Sequence, residues 1–279
     1  MPLTLMYITN SLPVALIAEK YGVQRIWIDL ETLDKELRQK GRDGVKSHHT
    51  IQNIREIKPN LTSSQLLVRI NHWNKNSQEE IDEVVEAGAD MIMLPYWKTQ
   101  EEVRQFIAAV NGRCKTTLLL ETKEAAEILD DVLEMEGIDE IHIGLNDLHI
   151  SYGLDFMFEL LTDGTVERLC AKIAAKGIPY GFGGIAKLGA GAVPAEKIIL
   201  EHYRLGSTRA ILSRSFCNAE KAGSIEEIES VFAKGMKEFR DFENYAASAT
   251  QEVFQKNRKE LETAIEAVAE TIRGQRSAE

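Results

Sequence analysis

Paired cysteines are the first thing this sequence lacks. Its 279 residues hold three cysteines, Cys114, Cys170 and Cys217, odd in number, far apart and without a C-x-x-C. Thiols in that pattern read as reduced residues of a cytoplasmic protein, not as a disulfide framework. No run of about 18 apolar residues occurs, so no membrane span is expected. The opening stretch, MPLTLMYITNSLPVALIAEKYG, has neither a basic n-region nor a long apolar core, so no signal peptide is expected. Basic charge is also short: 33 Lys and Arg stand against 44 Asp and Glu, for a net charge of −11. A basic surface for nucleic acid is thereby excluded. A small anionic substrate is not, because one local Arg or metal ion overrules the mean field. There is no H-E-x-x-H, no G-x-S-x-G and no P-loop spacing, and no G-x-G-x-x-G follows the first apolar run.

What is there is an eightfold alternation. The β-rich runs LTLMYIT, RIWIDLE, QLLVRIN, DMIMLPY, TTLLLET, EIHIGLN, PYGFGGIA and TRAILSRSF are separated by helical patterns. Several runs are nearly continuous apolar stretches, as parallel strands covered by helices require. The intervening segments, among them SQEEIDEVVEAGA, TQEEVRQFIAAVNG, KEAAEILDDVLEMEG and TVERLCAKIAAKG, mostly open with Ser, Thr or Pro and acids and close with Gly. Eight β/α units imply an α/β fold of the (β/α)8 TIM-barrel type; a doubly wound open sheet is the alternative. The barrel is expected over residues 1–240. Residues 241–279 continue a helical periodicity that breaks near YAASAT, forming a C-terminal helical extension. That extension is either a surface helix or a helix packed on a neighbouring subunit, because an amphipathic stripe must be buried somewhere.

Catalysis in such a barrel belongs at the C-terminal ends of the strands. Those ends offer Asp29 and Glu31, Arg69 and Asn71, Pro95, Tyr96 and Trp97, Glu121, Asn146 and Asp147, Phe182, Gly183 and Gly184, and Ser213 and Arg214. Glu121 and Asp147 stand out, since each follows an apolar run on one of two neighbouring strands. Two hard carboxylates without Cys or His suit Mg2+ or Mn2+ better than Zn2+ and leave positions for water and substrate oxygens. Their alternative is a pair of rim acids bridged by Lys or Arg. Arg69 either takes a substrate carboxylate in its planar fork or pairs with Asp29, Glu31 or Glu121. His142 alternates with core residues and is expected to be buried and satisfied. None of the eight runs carries an inward Lys for Schiff-base chemistry.

In this order, LLVRIN, LLLET, HIGLNDLHISYG and GFGGIA resemble the HpcH/HpaI aldolase/citrate lyase family, over about residues 4 to 216. The resemblance implies a metal-dependent pyruvate aldolase-like lyase of the pyruvate/phosphoenolpyruvate barrel superfamily. It implies Glu121 and Asp147 as ligands of a divalent metal, Mg2+ or Mn2+. Arg69 would contact the keto-acid carboxylate and the reacting oxygen, with Gly144, Leu145, Asn146 and Asp147 holding the carboxylate. The partners implied are a small-molecule 2-keto acid and further copies of the chain, from dimer to hexamer. Two departures stand out. Thr32 occupies the place of a family His used in proton transfer, so that step falls to water on the metal, Glu31, His48 or His49. Tyr96 and Trp97 replace the Lys expected after Pro95 in the citrate-lyase branch and are expected to wall the substrate site. An acyl-CoA lyase or thioesterase, and a catalytically idle barrel acting in sensing or assembly, remain the alternative readings.

Overall fold

The computed structural model describes residues 1–33 and 49–276; His48 lies outside them. Eight parallel strands close into a barrel in sequence order. They are β1 (Thr4–Ile8), β2 (Arg25–Asp29), β3 (Gln65–Arg69), β4 (Met91–Leu94), β5 (Lys115–Leu120), β6 (Glu140–Ile143), β7 (Tyr180–Ile185) and β8 (Arg209–Leu212). β1 also pairs with β8, Leu5 opposite Ala210, so no sheet edge is left open. Each strand stops short of the C-terminal end of its apolar run. The last residues turn out of the ladder and become the mouth of the barrel.

Side-chain alternation sorts the strands into two layers. Met6, Trp27, Leu67, Met91, Met93 and Leu119 pack together inside the barrel. Their neighbours, such as Leu5, Ile26, Val68, Ile92, Leu118 and Ile141, pack with the surrounding helices. Beneath the inner apolar layer, three strand starts bring ions together. Both guanidinium arms of Arg25 bond Glu140, at 2.5 and 2.6 Å, and Arg209 adds a contact of 2.7 Å. Gln65 accepts from Arg25 Nε at 3.2 Å. Burial pushes the Glu140 carboxyl up, but the hydrogen bonds from Arg25 and Arg209 hold it below the ordinary carboxylate range.

The helices start where the sequence provides caps. Thr99 and Glu102 form a capping box for the helix Gln100–Val110, and Thr122 Oγ1 accepts from Ala125 N–H ahead of Lys123–Glu127. The segment KEAAEILDDVLEMEG does not form one amphipathic helix. It divides into Lys123–Glu127 and Leu129–Val132, with Ile128 between them outside the helical region. Like charges at helical spacing, Glu127 with Asp130 and Asp131, disfavour a continuous helix there.

The C-terminal region is two helices, Ile225–Ala247 and Gln251–Arg276. The break therefore falls at Ser248–Thr250, and the boundary expected at residue 240 lies inside a helix. The last helix buries Leu261, Ile265 and Ala269 against the helices Ala195–Arg204 and Glu159–Thr162 of its own chain. Asn257 Nδ2 donates to the Lys197 carbonyl at 3.0 Å, and Arg258 pairs with Glu167 at 2.6 Å. Arg273 and Arg276 both reach Asp155. The apolar stripe is thus covered within the chain. No helix among the described residues is long and apolar enough to cross a membrane.

Candidate active site

β2 points Arg25, Trp27 and Asp29 to one side, so the floor, the interior and the mouth are served by one strand. At the top, Arg69 at the end of β3 donates to both oxygens of Asp29, from Nε at 2.8 Å and from Nη2 at 2.9 Å. Its Nη1 lies 3.4 Å from Glu31 Oε2. The guanidinium sits over the Trp27 ring, 5.3 Å from its centroid. Burial works against the charge of Arg69, but Asp29 and Glu31, with a further contribution from Glu121, raise its pKa above the usual value. The ion-pair reading of Arg69 is therefore realised. It leaves the keto-acid reading open, since the Asp29 clamp fixes the plane of a guanidinium that still has donors at Nη1.

Glu121 follows β5 and is 3% exposed. Its Oε1 accepts the Tyr96 N–H at 3.0 Å. Tyr96 turns that N–H inward by adopting φ +52°, a left-handed conformation that a tyrosine rarely takes. The Tyr96 ring faces outward enough to carry Lys98 Nζ 4.8 Å above its centroid. On the other side of Glu121 lies Gly144. A Cβ there would come within 2.9 Å of both Cβ and Oε2 of Glu121, so the absent side chain is what admits the carboxylate. Gly144 caps the helix Leu145–Ser151, and Asp147 stands half-buried in its first turn. Asp147 thus lies in a helix start, one turn beyond the strand end expected from sequence. Asn146 is exposed and its amide lies 3.4 Å from Asp147 Oδ1.

Two expected wall residues part company. Tyr96 is half-buried at the mouth, whereas Trp97 is 1% exposed and packs with the outer apolar layer. A buried indole cannot touch a ligand in the mouth, so Trp97 is not a substrate-binding wall. The reason is alternation: the residue after a left-handed turn points back toward the helices. Leu145 is likewise buried, its side chain filling the space beside Gly183.

The position of Thr32 is occupied structurally. Asn71 Oδ1 accepts the N–H groups of both Thr32 and Leu33 at 2.9 Å, and the Asn71 amide donates to Glu80 at 2.8 Å. The end of β3 thereby holds the turn after β2. An imidazole does arrive at this end of the barrel, from farther along the chain. His49 Nδ1 accepts the Asp29 N–H at 2.9 Å. That bond fixes the neutral tautomer with its proton on Nε2. Asp29 itself, one of the three acids named from sequence as a possible partner of Arg69, is the residue that clamps it. The period-2 alternation from Arg25 through Trp27 was the signal for it.

Asp29, Glu31 and Glu121 are buried at the C-terminal end of the barrel and all act on the charge of Arg69, and Asp147 stands half-buried in the first helical turn after β6. Hard oxygens without thiol or imidazole in the pair Glu121 and Asp147 fit a divalent cation of the Mg2+ type. Among the described residues, no group of three or more His, Cys, Asp or Glu is arranged to hold a metal ion. A two-carboxylate site of this kind would leave its other positions to water and substrate.

The fold has well-matched relatives among solved structures. An HpcH/HpaI aldolase from Desulfitobacterium hafniense DCB-2 superposes with a TM-score of 0.61 at 15% identity, covering 86% of this chain and 93% of that one. An HpcH/HpaI aldolase/citrate lyase family protein from Burkholderia cenocepacia J2315 gives 0.59 at 14% identity, with 81% and 94% covered. Citrate synthase SbnG gives 0.58 at 16% identity, with 86% and 95% covered. At such identities the likeness is one of fold. No curated protein matches the sequence significantly. The sequence profile of HpcH/HpaI aldolase/citrate lyase matches residues 4–159, which include the strands bearing Arg69 and Glu121 and the helix start bearing Asp147. This chain belongs to the HpcH/HpaI aldolase/citrate lyase family.

Proposed function

We propose that the chain is a divalent-metal-dependent carbon–carbon lyase or aldolase that works through the enolate of a 2-keto acid such as pyruvate. The observation that carries this reading is the buried carboxylate of Glu121, held by the Tyr96 N–H and fitted against Gly144, near the Asp29-clamped guanidinium of Arg69 at the C-terminal end of a barrel of this family. Glu121 and Asp147 would hold the cation, Mg2+ or Mn2+. When bound, the cation supplies a Lewis acid for charge that develops on the keto oxygen.

The chain's own residues do the rest. Asp29 and Trp27 fix the Arg69 guanidinium in one plane, so that its Nη1 donor stabilises the developing oxyanion without reorganising. Tyr96 N–H and Gly144 hold Glu121 from two sides and so set the direction of its free-electron pairs. The first N–H groups of the helix Leu145–Ser151 face a substrate carboxylate. The Tyr96 ring and Lys98 border the position of the second reactant.

Pyruvate binding by calorimetry, with and without Mn2+, tests the reading. Metal-dependent binding that disappears in Asp147→Ala is the expected result. Binding without metal, or none with it, would move the acyl-CoA and non-catalytic readings ahead, and competition by free CoA would then separate those two.

A further inference from the structure

The interior of the barrel, between its two ion clusters, holds polar atoms that the protein does not satisfy. Arg25 and Glu140 meet across the axis at the floor. Two residues farther along the same strands, alternation places Trp27 and His142 across from each other one layer higher. Thr117 lies diagonally beside His142, because Thr117 is opposite Glu140, and Leu119 opposite His142, in the β5–β6 register. All three side chains are at most 2% exposed. Trp27 Nε1, Thr117 Oγ1 and both ring nitrogens of His142 are fully buried and make no hydrogen bond of ordinary geometry to any described residue. Arg209 Nε, at the upper side of the floor cluster, is in the same condition. The expectation that His142 is buried and satisfied is therefore half right. It is buried, and although the Gly183 backbone lies close enough to act on the ring's charge, neither nitrogen makes a hydrogen bond of ordinary geometry.

Buried polar groups of folded proteins find partners, and a cluster of orphans this dense is otherwise foreign to a stable core. The composition of the cluster indicates the partner. Trp27 and Arg209 present donors. Burial pushes His142 down to about 4, so its imidazole is neutral and offers one donor and one acceptor. Thr117 offers both. An anion would satisfy the donors and face the lone pairs of His142 and Thr117 unfavourably. Water satisfies both kinds. We infer that the barrel axis binds ordered water between Trp27, Thr117 and His142, sealed below by Arg25, Glu140 and Arg209 and above by the Arg69–Asp29 pair. More than one molecule is required, since the two nitrogens of an imidazole diverge and a single water cannot serve both. Because the Trp27 ring lies directly under the Arg69 guanidinium, this water forms the underside of the catalytic mouth.

A high-resolution crystal structure of the full chain tests the inference directly. The expected result is ordered density within hydrogen-bonding distance of Trp27 Nε1 and of a His142 nitrogen, with no anomalous peak there after a bromide soak. A bromide peak at that position would replace water by an anion and overturn the inference. So would a dry axis in which the side chains have turned to protein partners. Thr117→Val, nearly the same shape without the hydroxyl, gives an independent reading in solution. If Oγ1 is hydrated, the substitution lowers Tm by about 2–4 °C. If Oγ1 is an unsatisfied orphan, removing it raises Tm, and the inference fails.

Discussion

At the floor of the barrel two guanidiniums, Arg25 and Arg209, share one carboxylate, Glu140; at the mouth one guanidinium, Arg69, is shared by Asp29 and Glu31 with Glu121 close by. Both clusters are buried and both include a bidentate Arg pair. Their charge balance is opposite. The floor is closed, its carboxylate doubly bridged and its pKa held down. The mouth holds Glu121 as well, fitted against Gly144 at a helix start. A floor that neutralises its carboxylate has finished its task on folding. On the proposed reading the mouth instead receives a cation, through Glu121 and Asp147. On that reading the same chemistry serves stability at one end and binding at the other, in line with the general division of labour in this fold.

The largest effect that would test this contrast is at the floor. Arg25→Met removes both bonds to one face of Glu140 and leaves a buried carboxylate with Arg209 alone. The expected loss is about 3–5 kcal/mol of folding stability, measured by urea unfolding, with metal-dependent pyruvate binding by the folded fraction unchanged. A floor variant that kept its stability and lost pyruvate binding would destroy the distinction. At the mouth the balance should reverse. Arg69→Met is expected to lower turnover by about 10²–10³-fold, the usual consequence of removing one oxyanion donor. Arg69→Lys should recover little of that, because an ammonium cannot hold the bidentate Asp29 geometry while reaching a substrate. Steady-state kinetics on whichever aldehyde proves reactive with pyruvate would read both.

Much of this contrast was legible before the structure. The eight apolar runs all became strands, because a parallel strand buried on both sides leaves an unmistakable trace. Arg69 and Glu121 were identifiable as strand-end charges on inward positions. Three features were less legible. Trp97 looked like a wall residue, but the left-handed turn at Tyr96 reverses the alternation, and a positive φ at a non-glycine leaves no sequence signature. Asp147 looked like a strand end, whereas β6 stops at Ile143 and the helix begins at once. His142 followed the core pattern faithfully, yet a pattern cannot say whether a buried imidazole finds partners. Asp29 was readable by counting on two residues from Trp27, and its pairing with Arg69 follows from their place opposite each other in the β2–β3 register.

A finer test bears on how tightly the mouth is fitted. Gly144→Ala would put a methyl 2.9 Å from Glu121 Cβ and Oε2, so the carboxylate must move. Such overpacking costs about 1–3 kcal/mol, and part of it should be felt as weaker Mn2+ binding, on the order of tenfold by calorimetry. Gly274→Ala, where a new Cβ meets nothing, is the matched control and should leave Mn2+ affinity unaltered. Equal Mn2+ affinity in the two variants would mean that Glu121 does not hold the cation from its present position.

The smallest effect concerns acid. Burial raises the Glu140 carboxyl and the bonds from Arg25 and Arg209 more than reverse it, so the folded pKa lies below the unfolded one. A depressed carboxylate contributes its full stability above the unfolded pKa, roughly 4.3, and loses that contribution as pH falls through the folded value. Stability should therefore be flat in this respect near neutrality and decline below about pH 4.3. Glu140→Gln should be less stable than the native chain at neutral pH, yet flatter in the acid range, because an amide has no proton to take up there. Urea midpoints between pH 3 and 7 would show the two curves converging toward the acid end. Parallel curves would mean that the acid sensitivity arises elsewhere, and the mouth, with Asp29, Glu31 and Glu121, would be the place to look. Convergence that is unaffected by Mn2+ would assign it to the floor, since a cation bound at the mouth has no reason to alter the protonation of a carboxylate sealed beneath the inner apolar layer.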